Sequence, residues 1–184
     1  FSRDGFAFKC QGERFYYTVD YGLNWSGPFR LNIQGRPFND ERIESHTCYL
    51  PTGPGEGYFF FGIEPEGAED RFYCAKTIDG GKHFKFLGWI SPSPDEAPEY
   101  ERWAVYSAVQ LSERHLIAAL RRKIDKKEGK VRRLNWIDVY ESKNGGRTWH
   151  YLSKVADTDV VNSDFNGNPP AILKLQDGRL AVTY

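Results

Sequence analysis

The chain has 184 residues, enough to bury one sizeable core. Lys plus Arg and Asp plus Glu each number 25, so no bulk positive field is present to draw DNA or RNA. Aromatic residues make up 16% of the chain and favour strands, and no apolar run approaches the ~20 residues needed to span a bilayer. Cys10, Cys48 and Cys74 are an odd number without zinc-site spacing. They read as buried free thiols, with a Cys48–Cys74 bridge as the alternative.

In chain order, Gly5–Cys10 and Phe15–Thr18 read as the second and third strands of a first unit. A second unit follows in Ser45–Leu50, Tyr58–Ile63, Arg71–Lys76 and Phe84–Ile90. A third comprises Val105–Leu111, His115–Arg122, Leu134–Glu141 and Trp149–Val155. Ala171–Leu175 and Leu180–Tyr184 open a fourth. The runs Tyr58–Phe61 and Leu116–Leu120 do not alternate between apolar and polar residues, the pattern of strands covered on both faces.

Three segments share one spacing. Thr18–Trp25, Thr77–Phe84 and Ser142–Trp149 each follow S/T-x-D/N-x-G-x-x-W/F. The acid or amide side chain folds back onto turn N–H groups as in an Asx-turn, glycine takes a conformation that other residues resist, and the aromatic starts the outgoing strand. Asp20, Asp79 and Asn144, with Trp25, Phe84 and Trp149, are therefore structural staples rather than catalytic groups. The boxes lie about 60–65 residues apart, longer than the roughly 40–45 of compact propeller repeats. Four antiparallel strands per repeat are the content of one propeller blade. The chain is expected to be all-β: a partial blade at 1–33, blades at 45–90 and 105–155, and a partial blade at 169–184.

The boxes, the run Asn135–Ser142 into the third box, Val155–Asp159, and Gly167–Pro170 followed by Leu175–Leu180 resemble the sialidase-like, Asp-box (BNR) superfamily over essentially the whole chain. The resemblance implies about three blades of a six-bladed propeller, hence a fragment that needs further blades and is inactive alone. It implies a glycoside hydrolase acting on terminal, in some members acidic, sugars. Its alternatives are a propeller that binds glycans without cleaving them and a structural or protein-binding one. A glycan is the implied partner, with no cofactor, metal, nucleic acid or membrane span. A secreted or periplasmic location follows from the resemblance, and an export signal can lie outside a chain that opens on Phe1.

Sialidase sites use three arginines for the sugar carboxylate, a Tyr–Glu nucleophile pair and an Asp acid/base, on the rim opposite the boxes. That rim corresponds to loops 34–44, 64–70, 91–104, 123–134 and 156–170. Arg121 follows Leu-Ile-Ala-Ala-Leu, where the family places a carboxylate-binding arginine, and Arg122 should face the other way. The family's Glu position reads Val105-Tyr106-Ser107-Ala108, without an acid, and its nucleophilic Tyr has no counterpart here. Glu101 and Asp159 are the candidate catalytic carboxylates, with Glu99 near the first. Trp136, His46, Asn166 and Asn168 are candidate sugar contacts. Lys123, Lys126, Lys127, Lys130, Arg132 and Arg133 read as a basic loop on the same rim.

Overall fold

The computed structural model describes residues 1, 3–38, 42–64, 71–93, 96, 102–128, 130–158 and 169–184; for 42, 44–47, 64, 102–106, 124–128 and 130–133 it describes the backbone alone. The protein is all-β, and the described residues form four sheets. Among the described residues no helix is long and apolar enough to cross a membrane.

Sheet I holds β1 (Ala7–Gln11), β2 (Arg14–Thr18) and β3 (Ser26–Arg30), in that order. Sheet II takes β4 (Ile33–Gln34), β5 (Arg42–Gly53), β6 (Glu56–Glu64), β7 (Arg71–Thr77) and β8 (Phe84–Trp89), ordered β4-β8-β7-β6-β5. Sheet III holds β9 (Arg102–Ser112), β10 (His115–Glu128), β11 (Lys130–Ser142) and β12 (His150–Asp157), ordered β12-β11-β10-β9. Sheet IV is the hairpin β13 (Ala171–Lys174) and β14 (Leu180–Thr183). Every pairing is antiparallel except β4 on β8, where Ile33 lies opposite Phe84. Residues 33–34 thus extend the second sheet, beyond the 45–90 span expected from sequence.

One expectation is corrected. The basic segment 123–134, expected as a loop, continues the β10–β11 hairpin from Arg122↔Trp136 out to Glu128↔Lys130. Charge density argues for loop by composition, but a ladder is held by main-chain groups that every residue carries except proline.

The two non-alternating runs are buried on both faces, as their composition requires. Phe59 and Phe61 point from β6 into a core shared with Phe8 and Phe15 of sheet I, while Tyr58 and Phe60 point into a second core with Leu116, Ala118 and Leu120 of sheet III. On β10 the odd residues Ile117 and Ala119 face the other way, with Ile137, Val139 and Ile172 of sheet IV. Each buried Phe contributes roughly 1.5–3 kcal/mol. Sheet II therefore shares one core with sheet I and another with sheet III, and sheet III shares a further one with sheet IV.

Close approach is purchased with glycine at one point: a Cβ on Gly88 of β8 would strike the Arg147 carbonyl of the third box. Cys10, Cys48 and Cys74 form no disulfide with one another. Cys48 and Cys74 both lie opposite Phe60, on strands either side of β6. Two strand spacings, roughly 9–10 Å, separate their backbones and exceed the reach of a disulfide.

Candidate functional site

Three turns hold Asp20, Asp79 and Asn144, and one cleft holds Arg122 and Trp136. The turns repeat one hydrogen-bond scheme. In the first box the Thr18 hydroxyl donates to Asp20 Oδ1 at 2.6 Å and accepts from Gly22 N–H at 3.1 Å. Asn24 N–H donates to Asp20 Oδ1 at 2.9 Å. In the second, Gly81 N–H meets the Thr77 hydroxyl at 3.0 Å and His83 N–H meets Asp79 Oδ1 at 3.0 Å. In the third, Gly146 N–H meets Ser142 Oγ at 2.9 Å and Thr148 N–H meets Asn144 Oδ1 at 3.0 Å.

The residue after each acid or amide donates its N–H to a neighbouring turn: Tyr21 to the Gly5 carbonyl, Gly80 to Gly55 and Gly145 to Arg114. Tyr21 holds φ 60 without being glycine, which the surrounding bonds over-determine. Hydrogen bonds from the Thr18 hydroxyl and the Asn24 backbone pull the Asp20 carboxyl down to about 2. The His83 side chain and backbone do the same to Asp79, also to about 2. The side-chain oxygens of Asp20, Asp79 and Asn144 each take hydrogen bonds from within their own turn, the arrangement of a structural staple.

The cleft, about 960 Å³, lies between sheets II and III. Its floor is the even-numbered face of β11, where Trp136, Asp138 and Tyr140 stand at two-residue spacing and so project to one side. Arg122, opposite Trp136 on β10, reaches across this floor. Its Nη1 donates to Asp138 Oδ2 at 2.9 Å and to the Tyr140 hydroxyl at 3.0 Å, and its guanidinium lies 5.4 Å from the Trp136 ring centroid. Arg122 is 2% exposed and Asp138 4%. Burial pushes the Asp138 carboxyl above the usual carboxylate range, against the opposing pull of Arg122 and a hydrogen bond from the Trp136 side chain.

The facing wall comes from sheet II. Arg71, at the start of β7, stacks over the Trp89 ring at 4.2 Å and donates Nε–H to the Ser91 carbonyl at 3.1 Å. Glu96 closes on Arg71 at 3.7 Å. Trp149, just before β12, and Tyr151, Lys154 and Asp157 along it also line the cleft.

Of the residues expected to bind sugar, Trp136 lines this cleft. Of the arginine pair, the cleft takes Arg122; by strand alternation Arg121 falls on the side of β10 that carries Ile117 and Ala119. His46 sits on β5, and its side chain lies outside the described residues, as do those of Lys126, Lys127, Lys130, Arg132 and Arg133. Glu99, Glu101, Asp159, Asn166 and Asn168 also lie outside the described residues. Lys123 is buried, and Ser107, in the acid-free run 105–108, accepts from Ile172 N–H at 2.9 Å and so ties β9 to sheet IV.

Sequence reasoning passed over Arg71, Trp89, Asp138 and Tyr140 as site residues. A signal for two of them was present: Trp136-x-Asp138-x-Tyr140 places an indole, an acid and a phenol on one strand face. Among the described residues no three His, Cys, Asp or Glu side chains converge as metal ligands. No protein-family model matches the chain, and no curated protein matches it.

Proposed function

We propose that the chain forms blades of a sialidase-like Asp-box propeller whose task is carbohydrate recognition, and that the cleft between sheets II and III is a glycan-binding groove. Support for the architecture comes from three boxes with one bonding scheme and from sheets stacked through both faces. One observation carries the functional reading: a trough with one indole on its wall, Trp89, and another on its floor, Trp136, holds fixed donors and acceptors at Arg122, Asp138 and Tyr140. Sugars present apolar ring faces and a fringe of hydroxyls, and such a trough offers both complements. Arg121, on the opposite face, is the arginine that the resemblance selects for a sugar carboxylate.

Glycoside hydrolysis is the second reading, favoured by Asp138. A buried carboxyl with a raised pKa suits proton donation to a leaving oxygen. A panel of immobilised glycans probed with the protein, with sugar release assayed in parallel, separates the two. Binding without release supports recognition. Release that Asp138→Asn abolishes supports hydrolysis. Neither binding nor release refutes the reading.

A further inference from the structure

The geometry points to a more specific ligand: an uncharged oligosaccharide chain lying along β11, rather than a single acidic sugar. This inference rests on the glycan reading above and concerns the same cleft. Among the described residues, each arginine and lysine lining the cleft faces a carboxylate of the cleft itself. Arg122 holds Asp138 at 2.9 Å, Arg71 holds Glu96 at 3.7 Å and Lys154 holds Asp157 at 2.6 Å. A ligand carboxylate would have to displace one of these partners or lie beside it. At Arg122 displacement would leave Asp138 as a buried charge without its guanidinium, which is the costly case. A hydroxyl faces no such barrier, because it donates to the carboxylate side of a pair and accepts from the cationic side.

The dimensions favour a chain. Trp136 and Tyr140 stand four residues apart on β11, roughly 13 Å, with the Arg122–Asp138 pair between them. Beside them β12 runs from His150 to Asp157, roughly 23 Å, and Tyr151 pairs with Tyr140 in an edge-to-face contact at 5.9 Å. Tyr151 is mostly exposed and presents a second ring platform after Trp136. Platform, hydrogen-bonding pair and platform repeat along a line longer than one sugar ring. At about 960 Å³ the cleft stands at the upper end of small-molecule pockets.

Calorimetric titration of the protein with cello-, xylo-, malto- and mannohexaose, their monosaccharides, an oligogalacturonate and sialyllactose tests this. The expected result is binding of at least one neutral hexasaccharide at least about tenfold tighter than its monosaccharide. Its affinity should change by less than about twofold between roughly 50 and 500 mM NaCl. Trp136→Ala and Tyr151→Ala should each weaken it about tenfold. Should Trp136→Ala fail to fold, the exposed Tyr151 carries the test alone. Binding restricted to the acidic ligands, falling with salt, overturns the inference and leaves the glycan reading standing. Equal affinity for hexaose and monosaccharide overturns the chain-length part. Binding of no sugar in the set overturns the inference together with the reading beneath it.

Discussion

The box turns and the inter-sheet cleft use the same kinds of residue to opposite ends. In the turns, Thr77, Asp79 and Asn144 spend their oxygens on backbone N–H groups two to four residues away. In the cleft, Arg122 and Asp138 meet across 16 residues of sequence, from adjacent strands, and face a space large enough for a ligand. Local satisfaction makes a staple. Satisfaction between strands, beside open volume, is the arrangement on which the proposed recognition rests.

The comparison is broken most severely at Asp138. Replacing it with Ala deprives a buried guanidinium of its carboxylate and should cost about 3–5 kcal/mol in urea unfolding, whereas Arg122→Met with Asp138→Leu should recover most of that loss. A double variant as unstable as the single one would mean that the pair is not the source of the effect. Next in size is Gly88→Ala. Its methyl collides with the Arg147 carbonyl and should destabilise the contact between sheets II and III by about 1–3 kcal/mol. Full stability for this variant would contradict the packing described.

Ser142→Ala comes third. It removes the fully buried hydroxyl that receives Gly146 N–H, at about 0.5–1.5 kcal/mol by thermal melting. The smallest effect concerns pH. Asp20 and Asp79 have folded pKa values near 2, below the ordinary 3.8. Each therefore contributes stability above about pH 4 that is lost as pH falls toward 2. Both are solvent-facing, so screening keeps the contribution small. The Asp20→Asn/Asp79→Asn variant should show a shallower acid decline than the parent, since Asn144 already serves the third box without a titrating group. An unchanged decline would place the acid sensitivity elsewhere.

The same contrast explains what could be read from the sequence. The boxes were legible because their bonds close within four residues, and the doubly covered strands because Phe59–Phe61 and Leu116–Leu120 leave no polar face. Parity alone placed Arg121 and Arg122 on opposite sides of β10. Which side bears the cleft depends on where sheet II packs and on how β12 turns Lys154 and Asp157 toward it, and no local pattern encodes that. The β10–β11 extension was missed because a run of Lys and Arg looks like a loop until a partner strand is known. Arg71 and Trp89 were missed for a similar reason. They meet at the edge of sheet II through antiparallel pairing of Tyr73 with Trp89, a contact across 16 residues.

The central claim is that the cleft recognises and the boxes only hold. One measurement tests it most directly: titration of a single neutral hexasaccharide into the parent protein, Trp136→Ala and Asp79→Asn under identical conditions. The account predicts about tenfold weaker binding for Trp136→Ala, equivalent to roughly 1.4 kcal/mol, and parental affinity for Asp79→Asn. Parental affinity in Trp136→Ala, with binding lost in a folded Asp79→Asn protein, would contradict it.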